Sequence, residues 1–396
     1  MSYALRPYQQ AAVDAGVNHF RNGKGNGVIV APTGSGKSLI VAGIAMAMQE
    51  PVVVFQPSVE VLTQNLEKLW SYGYEPGVFS ASAGRKDMSL ITLATIGSAV
   101  NRLGEFKRFK HVLVDECHLA HSGSTKKSDD TVSMFKRFTE ATGEPRMVGL
   151  SATPWRLATN SYGAENRFLT RMSKGLWNDV IHVTQIQELC KLGFLADLEY
   201  YYHQGIDTTQ LKLNSTGSDY TEASILAAMN GMEYEAKVLN MIERLLKYGR
   251  KSILVFTPFV KDAQRIASFL PGTAAWVSGE TPKAERKDLL DRFKAGDIKV
   301  MLNAMVLGIG FDHPALDTVI LGRPTASLSL YYQQVGRGLR PYPSKKSIII
   351  LDMVGNSNRF GKVEDFVVTK DWKGRWCVKS GGKQLTNIYQ SKEQFA

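Results

Sequence analysis

The chain has 396 residues, more than one ordinary hydrophobic core accommodates, so the length predicts two domains. Hydrophobic residues make up 44% and charged residues 21%, which is typical of a soluble globular protein, and no apolar run is long enough for a membrane helix. The formal net charge of +11 fits a polyanionic partner and fits solubility equally well, so composition alone leaves both interpretations open.

The amino terminus and the cysteines narrow the class of protein further. Residues 1–6 lack the apolar core of a signal peptide, so we expect a cytoplasmic location and no membrane association. Cys117, Cys190 and Cys377 are far apart and form no Cys-x-x-Cys pair. This spacing argues against a structural zinc site, and disulfides are not expected in a reducing compartment.

Strand-like runs alternate with helix-length segments in the first half of the chain. The runs are GVIVA (27–31), VVVFQ (52–56), LITLA (90–94), HVLV (111–114) and MVGL (147–150). Segments such as 38–49 and 59–72 have the length and spacing of helices. The alternation predicts a mostly parallel sheet with helices on both faces.

The alternation stops near Trp155 and restarts near Ser252. Residues up to about 175 predict a long loop, 183–193 a helix, 204–220 an extended connector and 220–248 helix again. The second set of strand candidates covers 252–257, 274–277, 299–302, 318–321 and 347–352, with helices at 260–270, 282–295 and 327–339. This second set predicts a second α/β lobe.

The last forty residues depart from this pattern. Residues 366–370 and 375–379 predict two short strands around a turn, a β-hairpin. The domain boundaries that follow are 1–180 for the first lobe, 181–245 for a connector, 246–355 for the second lobe and 356–396 for a basic and aromatic extension.

The segment after the first strand has the composition of a phosphate-binding loop. Its residues are Ala31, Pro32, Thr33, Gly34, Ser35, Gly36, Lys37 and Ser38. The glycines let backbone N–H groups approach phosphate oxygens, and the following helix directs its positive end at them. Lys37 would contact the β- and γ-phosphates of ATP, and the Ser38 hydroxyl would bind Mg²⁺. The general pattern has glycine where Ala31 stands.

A second motif, Asp115-Glu116-Cys117-His118, directly follows the strand at 111–114. Ligands of open α/β sheets bind at the carboxyl ends of strands, so these acids are expected to lie at a ligand. We assign Asp115 to Mg²⁺ and Glu116 to the attacking water. His118 is expected to be a hydrogen-bonding partner between motifs.

Together with the phosphate loop, this tetrapeptide resembles motif II of the superfamily-2 DECH-box helicases, and the resemblance covers nearly the whole chain. The other matching segments are 5–9, 55–64, 92–96, 151–153, 253–257, 307–312 and 333–340. The resemblance implies two tandem RecA-like lobes, ATP and Mg²⁺ as cofactors, and a nucleotide site that includes Arg6, Gln9, Gly310 and Asp312. Gln9 would read the adenine, and Ser151-Ala152-Thr153 would couple hydrolysis to movement of the lobes.

The segment that resembles motif VI contributes Gln333, Arg337 and Arg340. We expect Arg337 and Arg340 to share one face of a helix and to stabilise charge on the γ-phosphate, so that ATP bridges the two lobes. A solvated basic helix face is the alternative. Gly336 and Gly338 argue against it, because two glycines weaken a helix that only has to be a surface.

Nucleic-acid contacts are predicted in both lobes and in the extension. The candidates are Pro57, Gln64, Thr95, Thr257, Asn303, Trp372 and Arg375. Asn303 stands where motif V often has a hydroxyl residue. Trp372 and Arg375 have the chemistry to stack on bases, and the alternative is that the tryptophans of the hairpin pack it onto the second lobe.

Within the superfamily, the segments most resemble RadD-like and type III restriction motor-subunit helicases, although the cysteine-rich carboxyl-terminal region of RadD-like proteins is missing. The resemblance implies a monomeric ATP-dependent DNA helicase or translocase in replication, recombination or repair, with single-stranded or forked DNA as partner and repair or replication proteins as further partners. RNA stays open, because no residue that reads the 2′-hydroxyl is identifiable. The alternatives are a duplex-DNA motor of a restriction-type complex and a nucleotide-dependent protein scaffold.

Overall fold

The computed structural model describes residues 4–120, 131–160, 163–172, 175–203, 206–215, 219–229, 233–304, 312–343, 345, 347–388 and 390–391. The chain divides into two compact domains. The first comprises Met1–Arg156, Arg167–Gln185 and Val368–Cys377, and the second comprises Leu157–Asn166, Ile186–Val367 and Val378–Ala396. No helix in the described part of the chain is long and apolar enough to span a bilayer.

The first half of the chain contains five helices and ten strands among its described residues. In chain order they are α1 (Pro7–Asn22), β1 (Gly27–Val30), α2 (Lys37–Met48), β2 (Val52–Gln56), α3 (Val59–Ser71), β3 (Gly77–Ser80), β4 (Arg85–Lys86), β5 (Ile91–Thr95), α4 (Ile96–Ala99), β6 (His111–Asp115), α5 (Thr131–Thr142), β7 (Arg146–Ser151), β8 (Trp155–Asn160), β9 (Gly163–Phe168) and β10 (Asp179–Val183).

The remaining helices and strands are given in chain order. They are α6 (Ile186–Lys191), β11 (Asp197–Tyr202), α7 (Glu222–Met229), α8 (Tyr234–Lys247), β12 (Ile253–Phe256), α9 (Val260–Ser268), β13 (Ala274–Val277), α10 (Lys283–Ala295), β14 (Val300–Asn303), β15 (Thr318–Leu321), α11 (Leu328–Gly336), β16 (Ser347–Asp352), α12 (Asn356–Phe360), β17 (Phe366–Lys370), β18 (Trp376–Ser380), β19 (Lys383–Gln384) and β20 (Gln390–Ser391).

The first domain is built on an eight-stranded sheet in the order β10-β1-β7-β6-β2-β5-β3-β4. Among the described residues of this sheet, the strands pair in parallel except β3 with β4, which are antiparallel. Helices cover both faces. Val52 and Val54 pack in one apolar cluster with α1, α2 and α3, whereas Phe55 contacts Phe138 of α5, with ring centroids 4.9 Å apart. Successive strand residues point to opposite faces, so a continuous apolar run such as VVVFQ requires a helix on each side.

The second domain contains a six-stranded, fully parallel sheet in the order β11-β16-β15-β12-β14-β13. The two parallel sheets confirm the predicted fold class. β11 was missed, because Asp-Leu-Glu-Tyr-Tyr-Tyr mixes polar and aromatic residues as edge strands do, and it lies in the stretch interpreted as a connector.

Two further small sheets occur. β17, β18 and β19 form the predicted carboxyl-terminal hairpin with one added strand, and β8, β9 and β20 form a three-stranded sheet. The long loop predicted after Trp155 is therefore wrong over Trp155–Asn160 and Gly163–Phe168, which form β8 and β9. Polar residues such as Thr, Asn and Glu dominate that segment, so its sequence lacks the apolar alternation that marks a strand.

Candidate functional site

The phosphate loop lies between β1 and α2 in the first domain. Gly34 and Gly36 have φ angles of 84° and 80°, in the left-handed region that favours glycine. Gly36 is the N-cap residue of α2, and Lys37 and Ser38 begin that helix. The loop residues from Pro32 to Ser38 therefore curve around the amino-terminal end of a twelve-residue helix. Its unpaired N–H groups and positive dipole end suit an anion such as a phosphate.

The first turn of α1 braces this loop. The Tyr8 hydroxyl and the Gln9 side-chain amide each donate a hydrogen bond of 2.8 Å to the Ser35 carbonyl. The Gln9 amide oxygen also accepts from the Arg6 backbone N–H at 2.9 Å. Gln9 is 3% exposed, and both ends of its amide bond to protein. The structure thus brings Arg6 and Gln9 to the phosphate loop and gives Gln9 a bracing role there. The contribution of Tyr8 has no signal in the sequence.

The acid pair, Asp115 and Glu116, lies at the carboxyl end of β6: Asp115 is the last residue of the strand, and Glu116 follows it. Glu116 has a left-handed backbone, with φ 48°, which is uncommon for a residue with a Cβ and is characteristic of functional sites. Its carboxylate oxygens lie 3.4 Å from Lys37 Nζ and 3.3 Å from His118 Nδ1. Burial works to raise the pKa of Glu116, but the Lys37 ammonium and the His118 ring outweigh it and lower the pKa to about 2.

Asp115 lies in a different electrostatic environment. Burial, followed by the neighbouring Glu116 carboxylate, raises the pKa of Asp115 to about 6. The Asn65 side-chain amide, on α3, donates a 3.0 Å hydrogen bond to Asp115 Oδ2. Sequence reasoning missed Asn65, since it is one polar position within an amphipathic helix and only the packing of α3 against β6 brings it to the acid. Asp115, at the end of β6, and Ser38, at the start of α2, carry oxygen donors of the kind that Mg²⁺ prefers, and a cation bound there would favour the ionised carboxylate.

The segment at the end of β7 joins the same network. Ser151 Oγ lies 3.0 Å from His118 Nδ1 and accepts a 3.0 Å hydrogen bond from the Thr153 backbone N–H. The Ser151 carbonyl accepts from the Ala31 N–H at 3.0 Å. His118 therefore links Glu116 to the 151–153 segment, as the sequence led us to expect.

The second domain holds the predicted arginines. α11 ends at Gly336, so the expectation that Arg337 and Arg340 share a helix face is wrong: Arg337 is the C-cap residue and Arg340 lies beyond the helix. The Gly336-x-Gly338 sequence disfavours continuation of the helix. Arg340 forms an ion pair with Asp312, while Gln333 and Arg337 are half-buried. Gly310 lies outside the described residues.

Lys345 is a further residue that the sequence did not reveal. Its ammonium donates to the carbonyls of Pro314 and Leu316, both at 3.0 Å, and to that of Gly338 at 2.9 Å. These contacts tie the segment after Asp312 to the turn between Arg337 and Arg340. Burial lowers the pKa of Lys345 to about 8.

The predicted nucleic-acid residues of the first domain lie at strand ends. Pro57 directly follows β2 and Thr95 ends β5, its hydroxyl 3.0 Å from Ser98 Oγ. Gln64 is half-buried on α3. Strands β2 and β5 are paired neighbours, so Pro57 and Thr95 lie at one edge of the sheet.

In the second domain, Thr257 directly follows β12, and Asn303 is the last residue of the neighbouring strand β14. The Thr257 N–H donates to the Asn303 carbonyl at 3.1 Å. Each residue is 1% exposed. The structure therefore brings these two residues together but does not present either side chain at the surface for direct contact.

The two tryptophans of the hairpin differ in their environment: Trp372 is exposed, whereas Trp376 is hydrogen-bonded to the first domain. Trp372 is 85% exposed, and Lys373 Nζ lies 4.4 Å from the centre of its ring. Arg375 pairs with Asp371 at 2.8 Å. Trp376 donates a 2.7 Å hydrogen bond to Asp179 of β10, in the first domain. Trp376 therefore contacts β10, a strand that the sequence did not reveal and that the alternative of packing onto the second lobe did not include.

Comparisons with known proteins agree with this geometry. A family model described as type III restriction enzyme, res subunit, matches residues 2–156, and one described as helicase conserved C-terminal domain matches residues 236–341. A 51.5 kDa protein of a Lactococcus phage (isolate 7-9) is 28% identical over 92% of this chain and 73% of its own length. The DNA 3'-5' translocase XPB2 of Sulfurisphaera tokodaii is 25% identical over 88% of this chain and 81% of its own.

Other relatives are longer. IRC3 of Saccharomyces cerevisiae is 25% identical, and the match covers 89% of this chain but 52% of that protein. Among solved structures, the ATP-dependent Type ISP restriction-modification enzyme LlaBIII bound to DNA shares the fold with a TM-score of 0.65 at 15% identity, over 89% of this chain and 28% of that one. The two matched domains, with the phosphate loop and acid pair in place, show that the chain belongs to the superfamily-2 helicases.

Proposed function

We propose that this chain hydrolyses ATP with Mg²⁺ and uses the energy to move along DNA as a helicase or translocase. One observation carries the proposal: the chain of contacts from Lys37 to Glu116, from Glu116 to His118 and from His118 to Ser151, each 3.0–3.4 Å long. It joins the phosphate loop, the acid pair and the 151–153 segment in one domain. A loop that only bound nucleotide would not need an acid held in this way.

Each residue of the site has a separate task in the proposal. Lys37 and the N–H groups of the loop bind the β- and γ-phosphates, while Ser38 and Asp115 hold the metal. Bound Mg²⁺ would neutralise charge that develops on the phosphate oxygens. Glu116, whose pKa the Lys37 ammonium and the His118 ring lower, is ionised at neutral pH and accepts a hydrogen bond from the attacking water.

Arg337 and Arg340 of the second domain complete the proposal. The resemblance assigns them, with Gln333, to the transferred phosphate, where a guanidinium stabilises the transition state. Because Arg340 pairs with Asp312, the proposal requires that it exchange this carboxylate for the phosphate. Arg340→Ala is expected to reduce kcat while leaving nucleotide affinity nearly unchanged.

DNA is the proposed partner. Support comes from the net charge of +11, from the relative named as a DNA translocase and from the DNA-bound structure with the same fold. We also propose that the protein acts as a monomer, in replication, recombination or repair.

The test is ATP turnover by wild type, Lys37→Ala and a matched control, Lys24→Ala, with and without single-stranded DNA, duplex DNA and RNA. Lys24 is exposed in the same domain. We expect turnover that DNA stimulates, loss of turnover in Lys37→Ala and wild-type turnover in Lys24→Ala. Wild-type turnover in a folded Lys37→Ala protein would overturn the site assignment. Turnover indifferent to every nucleic acid would favour a nucleotide-dependent scaffold.

A second candidate is a motor that moves along duplex DNA without separating the strands. The match of the first domain to a restriction-enzyme subunit model favours it. Strand displacement on forked DNA and triplex displacement on duplex DNA distinguish the two. Displacement of the triplex alone supports the duplex motor, and unwinding of the fork supports the helicase.

A further inference from the structure

A cavity of about 130 Å³ lies at the carboxyl ends of β2, β5 and β6 in the first domain. Its lining includes Gln56, Pro57, Thr95 and Gly97 together with Asp115 and Glu116. The cavity therefore connects the acid pair with the two strand ends that the sequence assigns to nucleic-acid contact.

Gln56 is the unusual residue of this cavity. It is 3% exposed, yet neither its amide nitrogen nor its amide oxygen has a hydrogen-bond partner among the described residues. Buried polar side chains in native proteins nearly always have partners, and an amide that lacks both is costly to bury. Gln56 lies beside Thr95 in the register of β2 and β5, so packing fixes its position on the sheet.

Water is the partner that the cavity can supply. A volume of about 130 Å³ has room for water, and buried waters need two to four polar partners. Gln56, Asp115 and Glu116 are polar residues of the lining that provide such partners. An apolar side chain at position 56 would leave the carboxylates as the principal polar groups of this space.

We propose that Gln56 is a positioning residue: it anchors waters that connect the Pro57 and Thr95–Gly97 segments with the acid pair, so that nucleic acid bound at those segments changes how Glu116 orients the attacking water. The inference rests on the proposed function. It gives a physical route, within one domain, by which DNA would stimulate ATP hydrolysis.

The test compares wild type with Gln56→Met, which keeps the length of the side chain and removes both polar atoms. We expect the ratio of DNA-stimulated to basal turnover to fall by at least about fivefold, in the range of ordinary coupling between two sites. Affinity for a labelled single-stranded oligonucleotide, measured by fluorescence anisotropy, should stay unchanged. The melting temperature should stay close to that of wild type, because Met conserves the volume of the side chain.

Two more variants make the test specific. Gln56→Asn keeps an amide in the cavity and should retain most of the stimulation. Phe135→Leu alters the apolar lining of the same cavity and should retain it fully. Stimulation of Gln56→Met equal to wild type would overturn the inference alone. A large loss of oligonucleotide affinity in Gln56→Met would overturn it in favour of direct contact with nucleic acid. Wild-type turnover that no nucleic acid stimulates would overturn both this inference and the proposed function.

Discussion

Asn65 is the residue whose replacement should separate activity from stability most clearly. Its side-chain nitrogen donates a 3.0 Å hydrogen bond to Asp115 Oδ2, and both residues are buried. Its side-chain oxygen has no partner among the described residues. Asn65→Leu is nearly isosteric, so it removes the hydrogen bond without opening a cavity. Asp115 would then lose the group that favours its ionised form, the form that binds Mg²⁺.

The magnitude follows from the type of bond. A hydrogen bond to a charged group contributes about 1.5–3 kcal/mol, which corresponds to roughly a 10- to 100-fold change. We expect this factor in ATP turnover at fixed Mg²⁺, with a higher Mg²⁺ concentration at half-maximal rate. The free energy of unfolding should change little or rise, because the unpartnered oxygen of Asn65 disappears together with the bond.

The assay is ATP turnover as a function of Mg²⁺ concentration, beside urea unfolding of the same preparations. Leu62→Met is the matched control, since Leu62 is a buried residue of the same helix and Met conserves its volume. The control should keep the wild-type Mg²⁺ dependence. Asn65→Leu with the wild-type rate and Mg²⁺ dependence would refute the role assigned to Asn65. A loss of activity that is fully explained by a lower free energy of unfolding would show that Asn65 has only a structural role.

Three other variants test separate parts of the structure. Gly36→Ala places a Cβ 2.6 Å from Gln9 Nε2 at φ 80°; we expect about 1–3 kcal/mol of strain and weaker nucleotide binding, and unchanged binding and melting temperature would contradict the bracing. His313, hydrogen-bonded to Ser252 at 2.7 Å, has a pKa lowered to about 4 by burial and then by nearby lysines. As the pH falls, His313 is protonated in the unfolded chain before it is protonated in the folded protein. The free energy of unfolding should therefore fall by about 2–3 kcal/mol between pH 6.5 and pH 4, and urea titrations of His313→Gln should lack this pH dependence. Trp372→Ala should leave stability unchanged and weaken single-stranded DNA binding by about 1–3 kcal/mol, the contribution of one stacked base; unchanged affinity in fluorescence anisotropy would argue against stacking.

The sequence by itself determined the fold class and the positions of the chemical motifs. Runs such as VVVFQ and SIIILD are apolar at successive positions, and only a strand covered on both faces buries them all, so the parallel sheets could be predicted. The phosphate loop was equally visible, because its glycines, lysine and serine are contiguous and lie between a strand and a helix. Such local patterns act over a few residues, and the sequence records them directly.

Only the tertiary structure decided which side chains meet. Asn65 and Asp115 are fifty positions apart, and nothing in an amphipathic helix marks the one polar residue that will face an acid. Trp376 contacts Asp179 across 197 positions through a strand that the sequence did not reveal. The end of α11 at Gly336, which leaves both Arg337 and Arg340 outside the helix, also depended on geometry at a glycine-rich helix end.

The physical reason is the same in each case. Period and composition report how one segment buries its own apolar face, whereas a polar contact depends on how two segments dock. Gln56 shows the limit most clearly: the sequence predicts a buried strand end, and only the folded domain shows that its amide is buried without a hydrogen-bond partner among the described residues, beside a cavity that also reaches Glu116.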